Sequence, residues 1–210
     1  MFEYPNVLLY LGTINTNRYE IIDQLLSDSL MYKTIKGVGF QWEGGQILPK
    51  IRTKYPQYKY VQTESECGWG TFDWKGAEHT FSLMSYYLGN GCEEYTFWNS
   101  ILSDNGDSHW GWKQNALICV DSKTLATTYT PVYYAAKHFS HNITSGSKIL
   151  GYKQDKEDKI SLLVVSDPQG KNVVIAGNFN EESKNITVQL GERYLNVTLQ
   201  SHSFNTFQLK

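Results

Sequence analysis

The hydrophobic and polar positions in the first part of the chain alternate between short apolar runs and stretches with helical periodicity. Four strands are predicted, at residues 7–11, 37–42, 58–63 and 94–99. Four helices are predicted, at about residues 17–30, 48–55, 73–88 and 130–139. Strands that alternate with crossover helices are typical of a parallel sheet, so this part is predicted to have an α/β fold.

The pattern changes beyond Gly146. Five short apolar runs follow at close intervals, at residues 159–165, 172–176, 185–190, 194–199 and 203–209. Such spacing predicts an antiparallel β module, which we expect to be a small sandwich. We therefore expect two domains, residues 1–145 with the chemistry and residues 146–210. The loop at 103–128 is too long for a plain connection and is predicted to be functional.

Charge and hydropathy exclude several classes of function. The 210 residues carry a net charge of only −2, which favours neither nucleic acid nor an anionic membrane surface as a partner. No apolar run is long enough to span a bilayer, and Met1 to Pro5 lack the basic start and apolar stretch of a signal peptide. The sequence therefore predicts no export signal, and it does not fix the localisation of a longer parent protein.

The cysteines and histidines do not predict a metal site. Cys67, Cys92 and Cys119 are spaced too widely for a disulfide framework or a zinc site, so we expect buried thiols. His138 and His141 are three apart on a predicted helix, but no nearby carboxylate or cysteine completes a ligand set. We expect neither a metal nor a cofactor.

Three successive predicted strands end in groups that suit chemistry on sugars. The third delivers Glu64, and a carboxylate at the end of a buried strand is unfavourable unless it is used. The preceding strand ends in Gln41 and Trp42, and the next ends in Trp98 and Asn99. A carboxylate among aromatic side chains is typical of glycoside hydrolysis, in which a carboxylate attacks the anomeric carbon.

A series of motifs runs in order across nearly the whole chain. They lie at residues 37–42, 62–68, 97–99, 110–112, 120–121, 133–140, 197–199 and 203–207. In this order they resemble glycoside hydrolase family 30, which includes the glucosylceramidases and related β-glycosidases. The resemblance implies a retaining β-glycosidase in which the carboxylate that ends the seventh strand of a β/α barrel, here Glu64, is the nucleophile. The implied substrate-binding residues are Gln41, Trp42, Trp98, Asn99 and Trp110.

Alternation along the third strand supports Glu64 separately. Tyr60, Gln62 and Glu64 are predicted to share one face of the strand. Glu66 has the same parity and is the alternative nucleophile, although the following Cys67-Gly68 predicts a turn and so favours Glu64. The family commonly has His-Trp-Tyr where this chain has residues 41–43. Glu43 is therefore either a solvated loop residue or a second carboxylate in the pocket.

The second catalytic carboxylate that the family uses, in an Asn-Glu motif after the fourth barrel strand, has no counterpart here. The only Asn-Glu pair, Asn180-Glu181, falls in the β module. A complete barrel takes about 250 residues, and residues 1–145 provide only part of that length. The expected fold is the C-terminal half of an eight-stranded β/α barrel, strands five to eight, followed by the small antiparallel β-sandwich.

Two hypotheses follow for the function. In the first, the chain is the nucleophile half of a retaining β-glycosidase that acts on a carbohydrate or glycoside, and its partner is the missing N-terminal half or a second copy of the chain. In the second, the chain is a non-catalytic carbohydrate-binding or interaction remnant that keeps the aromatic pocket.

Overall fold

The chain has an α/β fold that is followed by antiparallel sheets. A computed structural model describes residues 6–155 and 159–209. Residues 1–5, on which the signal-peptide prediction rests, lie outside the described residues. The chain divides into two units, Met1–Cys67 with Tyr86–Trp98 and Gly68–Ser85 with Asn99–Lys210. The predicted domain boundary near residue 145 stays a prediction.

The first unit is built around a four-stranded parallel sheet in the order β1-β2-β3-β4. Its strands are β1 (Tyr10–Ile14), β2 (Gly37–Gln41), β3 (Lys59–Glu64) and β4 (Cys92–Tyr95). Its helices are α1 (Tyr19–Ser27), α2 (Ser29–Thr34) and α3 (Leu48–Lys54), and a 3₁₀ segment covers Trp42–Ile47. Helix α4 (Trp74–Gly89) contributes residues to both units.

Alternate residues of β2 and β3 form the buried face of this sheet. Val38 and Phe40 lie in register with Tyr60 and Gln62, and all four are almost completely buried. The Phe40 and Tyr60 rings are 6.2 Å apart, and the Tyr60 hydroxyl donates a 2.6 Å hydrogen bond to the carbonyl of Tyr55. This face therefore forms the core of the first unit.

The second unit contains three separate sheets. Its elements are β5 (Ile101–Ser103), β6 (Ile118–Val120), β7 (Thr127–Tyr129), α5 (Pro131–Ser140), β8 (Lys148–Leu150), β9 (Ile160–Ser166), β10 (Asn172–Asn178), β11 (Lys184–Leu190), β12 (Arg193–Leu199) and β13 (Ser203–Leu209). Strands β13-β10-β9-β8 form an antiparallel sheet, β11-β12 a hairpin and β5-β6-β7 a mixed sheet.

Aromatic packing forms the core of the second unit. The Phe81 ring of α4 stacks on Phe204 of β13 with centroids 4.7 Å apart, and meets Phe139 of α5 edge-on at 4.8 Å. Phe81 and Phe139 are almost completely buried. The apolar positions that predicted these two helices therefore include residues of this core.

Several predicted element ends are confirmed by capping contacts. Thr130 precedes Pro131 at the start of α5, and its hydroxyl accepts from the backbone N–H of Tyr133 at 3.4 Å. Asp73 accepts from the N–H of Gly76 at 2.8 Å at the start of α4. The last strand, β13, has the predicted bounds.

Other predicted bounds are wrong. The first strand begins only at Tyr10, and residues 7–9 before it are exposed. The helix predicted over 17–30 is broken at Asp28, whose carboxylate caps α2 by accepting from Leu30 and Met31 at 2.9 Å each.

The fourth strand and the long loop also differ from the prediction. Strand β4 ends at Tyr95, so Trp98 and Asn99 follow the strand. The stretch 103–128 includes β6 and the start of β7, since β6 pairs with β5 on one side and with β7 on the other. Over residues 6–155 and 159–209, no helix combines the length and the hydropathy needed to cross a bilayer.

His202 joins three segments of the second unit. It lies in the turn between β12 and β13, with Nδ1 2.7 Å from the Glu78 carboxylate of α4 and Nε2 3.1 Å from the carboxylate of Glu181. The hydrogen bonds with Glu181 and then Glu78 raise the pKa of His202 above 6.5, against a smaller effect of desolvation. Its φ of 48° is in the left-handed region, which asparagine tolerates better than most residues.

We expect His202→Asn to destabilise the chain at acid pH and to have less effect at alkaline pH. Because the folded-state pKa is raised, the stabilisation by His202 is fully present below pH 6.5 and is lost as the pH rises through the folded pKa. Thermal unfolding of both proteins from pH 5.5 to 9 measures the difference. His141→Asn, at an exposed histidine, is the control; a constant difference between His202→Asn and the native chain across this range contradicts the prediction.

The ends of β3 and β4 are joined through Ser65. This buried residue follows β3, and its hydroxyl accepts from the backbone N–H of Trp98 at 3.0 Å. Its own N–H donates to the carbonyl of Thr96 at 3.1 Å. The Ser65 hydroxyl therefore holds the segment after β4 against the end of β3.

We expect Ser65→Ala to lower the free energy of unfolding by about 1–3 kcal/mol, because the Trp98 N–H then loses the acceptor that the buried Ser65 hydroxyl provides. Urea unfolding followed by circular dichroism measures the change. Ser100→Ala, at an exposed serine, is expected to stay within about 0.5 kcal/mol of the native chain. Equal effects of the two substitutions would show that the Ser65 hydroxyl does not stabilise these strand ends.

Candidate active site

The candidate site lies at the carboxyl end of the parallel sheet, where β2 and β3 end side by side. The register of these strands shifts near their ends: Phe40 pairs with Gln62, but the next residue of β2, Gln41, pairs with Glu64. Thr63 is thus an extra residue in β3, as in a β-bulge. The bulge sets Glu64 directly beside Gln41.

The register shift corrects the predicted alternation along β3. Tyr60 and Gln62 face the buried core as expected, but Glu64 does not continue their face and is only partly buried. The Thr63 side chain lies on the other face of the sheet, where its hydroxyl is 2.7 Å from the hydroxyl of Thr13 on β1. Without the bulge, the alternation would direct the Glu64 carboxylate into the apolar core, where an unpaired charge is strongly unfavourable.

A hydrogen bond from Trp42 holds the Glu64 carboxylate. The indole Nε1 donates to Glu64 Oε1 at 2.8 Å. Trp42 directly follows β2 and has a φ of 46°, in the left-handed region where a bulky residue is strained. Such strain costs about 1–3 kcal/mol and persists only where the surroundings fix it, which is common at functional sites.

Two glycines allow the chain after Trp42 to pack closely. At Gly44 a Cβ atom would collide with the backbone of Ile14, and at Gly45 it would collide with the ring of Tyr87. The hydroxyl of Tyr86 donates to the carbonyl of Gly45 at 2.9 Å. These contacts fix the 3₁₀ segment and therefore the position from which Trp42 reaches Glu64.

The β4 side of the site is positioned by polar side chains of β3. Besides the bond between Ser65 and Trp98, the buried Gln62 accepts from the N–H of Thr96 through its side-chain Oε1 at 2.8 Å. Both acceptors order the segment that carries Trp98 next to the end of β3. The sequence analysis assigned no role to Gln62 or Ser65. The available signal was their residue type, since Gln62 is a polar residue on the same face as the apolar Tyr60 and Ser65 is a polar residue directly after the strand.

Glu66, the alternative nucleophile, lies in a different environment from Glu64. Burial is the largest cause that raises the pKa of Tyr95, and the nearby Glu66 carboxylate adds to the effect. The same carboxylate contributes to the raised pKa of Tyr87, again after burial. Glu66 is therefore close to the tyrosines that pack in the first unit, whereas Glu64 is held at the strand end by Trp42.

The six predicted site residues fall in both units. Gln41, Trp42, Glu64 and Trp98 belong to the first unit and gather at the ends of β2, β3 and β4. Asn99 and Trp110 belong to the second unit. There, the Asn99 amide donates to the side chain of the buried Gln114 at 2.6 Å, and Trp110 is exposed.

The remaining acidic residues near the sequence motifs are placed differently from Glu64. Glu43 is exposed on the 3₁₀ segment, as expected of a solvated loop residue. Glu181 lies between β10 and β11 and contacts His202, in agreement with its predicted place in the β module. Among the described histidine, cysteine, aspartate and glutamate side chains, no group of three is arranged to hold a metal ion.

This geometry suits a carboxylate that attacks an electrophilic carbon. Trp42 Nε1 donates its N–H to one oxygen of Glu64, and this hydrogen bond orients the carboxylate. The other oxygen is not committed to Trp42. Aromatic and amide groups at adjacent strand ends are the side chains expected around a bound sugar.

The sequence of the chain is similar to the sequences of two glucosylceramidases. No protein-family model matches the chain. It is 25% identical over 184 residues to a Caenorhabditis elegans protein with a provisional glucosylceramidase name, and this match covers 81% of the chain and 35% of the relative. It is 23% identical over 202 residues to the mouse lysosomal acid glucosylceramidase, covering 87% of the chain and 38% of the relative. The chain thus spans little more than a third of the length of these relatives.

Solved structures show the same fold. The structure of SrfJ from Salmonella typhimurium matches 91% of the chain with a TM-score of 0.82 at 18% identity, over 44% of that protein. The endo-β1,6-glucanase BT3312 matches 92% of the chain with a TM-score of 0.78 at 18% identity, over 46% of its own length. A family 30 endoxylanase from Clostridium papyrosolvens matches 97% of the chain with a TM-score of 0.73 at 12% identity, over 56% of that protein.

These comparisons agree with the resemblance read from the sequence motifs. The sequence matches are to glucosylceramidases, and the fold matches include a family 30 enzyme. Coverage is high for this chain and partial for every protein compared, as expected of a fragment. The chain is related to the glucosylceramidase-like enzymes of glycoside hydrolase family 30.

Proposed function

We propose that the chain supplies the nucleophile, Glu64, of a retaining β-glycosidase that cleaves β-glucosidic or related β-glycosidic bonds. The observation that carries the proposal is the 2.8 Å hydrogen bond from Trp42 to a carboxylate at the end of a parallel strand. Active sites of β/α barrels lie at this end of the strands. The preference for β-glucosides rests on the names of the glucosylceramidase relatives.

In the proposed reaction, the Glu64 oxygen that Trp42 does not hold attacks the anomeric carbon of the sugar. A glycosyl ester with Glu64 forms as the bond to the aglycone oxygen breaks, and the aglycone leaves with a proton from an acid. Water then attacks the anomeric carbon and gives one proton back to the same acid, now acting as a base, while the ester bond breaks and releases the sugar and the Glu64 carboxylate. Gln41, Trp42, Trp98, Asn99 and Trp110 are proposed to contact the substrate.

The acid that donates this proton is proposed to come from the missing N-terminal half of the barrel, strands one to four. Glu181, of the only Asn-Glu pair, contacts His202 in the second unit and is largely exposed. The partial coverage of the relatives supports a chain that is part of a longer enzyme, and we propose that this part is barrel strands five to eight with the C-terminal sandwich. Residues 1–145 and 146–210 are the proposed domains.

Among residues 6–155 and 159–209 no strand pairs with the outer edge of β1, and this bare edge supports a missing partner segment. Strand β1 lies at this edge, and the apolar residues before it are exposed, with Leu8 55% exposed. On the first two helices, Ile21, Leu25 and Leu30 are exposed as well. Parallel sheets are normally buried, so we propose that this edge pairs with the β/α segment that carries the acid.

We expect an activated 2-deoxy-2-fluoro-β-glucoside to label the native chain at Glu64, because its leaving group departs without protonation and its glycosyl ester accumulates. Peptide mass spectrometry locates the label, and hydrolysis of aryl β-glucosides with good leaving groups reports turnover. Glu64→Gln should abolish labelling and lower turnover by about a thousandfold or more, as expected when a covalent nucleophile is lost.

Glu66→Gln is the matched control and should be labelled like the native chain. A label on Glu66 contradicts the assignment of Glu64. If neither the chain alone nor its mixture with an N-terminal half is labelled, while carbohydrate still binds, the proposed catalytic function is wrong and the non-catalytic remnant is the correct hypothesis.

We expect Leu8→Lys to prevent activation of the chain by an N-terminal barrel segment taken from a family 30 relative. Leu8 lies two residues before β1, and we propose that the added segment covers it, so that a lysine there would place an unpaired charge in the contact. Co-expression followed by copurification and aryl β-glucoside hydrolysis measures the pairing. Leu125→Lys is the control, since Leu125 is 74% exposed and lies in the second unit. Equal activation of both variants contradicts the proposed edge.

A further inference from the structure

The carboxyl end of the parallel sheet contains a bulge on each side of β2. On the β1 side, Gly12 and Thr13 together lie opposite the single residue Gly39. On the β3 side, Thr63 is the extra residue, and Glu64 follows it directly. Bulges are common at barrel rims and beside active sites, where they redirect a side chain. Each of these two bulges contributes one threonine.

The two threonines meet across β2. Neighbouring strands lie about 4.8 Å apart, so a side chain on the middle strand normally separates residues of β1 from residues of β3. Here the middle residue is a glycine, and a Cβ atom at Gly39 would lie 2.9 Å from Cγ2 of Thr63. The hydroxyl oxygens of Thr13 and Thr63 are 2.7 Å apart. Gly39 therefore leaves the space in which the two side chains make contact.

The Thr63 hydroxyl also contacts the backbone of β2. It donates to the carbonyl of Phe40 at 3.2 Å. A hydroxyl has one hydrogen to donate, but it can accept two hydrogen bonds. Because Thr63 uses its hydrogen on Phe40, Thr13 is the donor in the bond between the two threonines. The hydrogen bonds thus run from β1 through Thr63 to β2, at the residue directly before Glu64.

These contacts hold the bulge that sets the direction of Glu64. The extra residue of a bulge is unpaired in the ladder, so its side chain has to supply the contacts that fix it. The Thr63 methyl group packs over Gly39, and its oxygen is bonded to both neighbouring strands. If the backbone of Thr63 relaxed, the Glu64 carboxylate would move relative to its donor, Trp42.

We propose that Thr13 and Thr63 are positioning residues that keep the Glu64 carboxylate in the orientation for attack on a sugar. The attack rests on the proposed glycosidase function, whereas the positioning of the carboxylate does not. Thr13 is exposed on the edge strand of the sheet. Water can replace its hydrogen bond but does not hold the Thr63 oxygen in place, so we expect its loss to affect the site more than the stability.

Substitution of each threonine by valine removes one hydroxyl and keeps the branched shape. We expect Thr13→Val and Thr63→Val each to lower the rate constant for labelling of Glu64 by the 2-deoxy-2-fluoro-β-glucoside about ten- to hundredfold, with little change in the half-saturating concentration, as for a displaced reacting group. Thr63→Ser keeps the hydroxyl and should restore most of the rate. Thr53→Val is the control, because the Thr53 hydroxyl donates to a carbonyl of its own helix, α3.

Gly39→Ala tests the same contact from β2. The added methyl group would collide with Cγ2 of Thr63, so the Thr63 side chain would have to move. We expect this variant to be labelled as slowly as Thr63→Val. Combining it with Thr63→Ser removes the colliding methyl group and should recover the labelling rate. A double variant that is labelled as slowly as Gly39→Ala contradicts the proposed contact.

The indole N–H resonance of Trp42 reports the position of the carboxylate without any reaction. Its hydrogen bond to Glu64 should shift the Nε1 proton downfield in a proton–nitrogen NMR spectrum, in which Trp42→Phe assigns the signal. Thr13→Val should move this signal toward its position in Glu64→Gln. Thr53→Val should leave it unchanged.

The two measurements separate this inference from the proposed function. Labelling of Glu64 at the native rate in both Thr13→Val and Thr63→Val would overturn only the positioning role, as would a Trp42 resonance that neither variant moves. If the native chain is never labelled, alone or with an N-terminal half, while Thr13→Val still moves the Trp42 resonance, only the catalytic proposal is overturned.

Discussion

The hydrogen bond between the Trp42 indole and the Glu64 carboxylate is the interaction on which the candidate site depends. It forms only because two unfavourable local features occur together. Thr63 bulges out of β3 and brings Glu64 beside Gln41, and Trp42 adopts a left-handed backbone that turns its side chain toward β3. Packing of the glycines after Trp42 then maintains this strained arrangement.

A carboxylate held in this way meets one requirement of retaining glycoside hydrolysis and leaves another unmet. A donor on one oxygen orients the group, but an indole cannot supply the proton that the departing aglycone needs. In the described residues, β1 lies at one edge of the parallel sheet, and the apolar residues just before it are exposed. If, as proposed, the N-terminal half pairs along that edge, it would cover these apolar residues and would also supply the acid.

The sequence predicted the features that depend on local patterns and missed those that depend on contacts between strands. The starts of α4 and α5 follow from Asp73 and Thr130, whose capping groups act within a few residues. The β-bulge at Thr63 could not be predicted from the sequence, because it arises from the register of β3 with Phe40 and Gln41 on another strand.

Strand limits show the same distinction. An apolar run such as residues 7–9 has the composition of a strand, yet pairing with β2 begins only at Tyr10. For the site, the sequence singled out Glu64 and Trp42 by type and position. It did not identify Ser65 or Gln62, whose role is to hold the segment after β4 through its backbone N–H groups.

Tryptophan is used in two physically different ways in this chain. Trp42 is partly buried and acts through its N–H, so its orientation is set by a strained backbone and by one acceptor. Trp69 and Trp112 are more exposed, and what is fixed there is the backbone of the loops, through Asn115 and the close-packed glycines. An apolar ring kept in water on an ordered loop gains most when another apolar face covers it, because the loop has already lost its conformational entropy in the free protein.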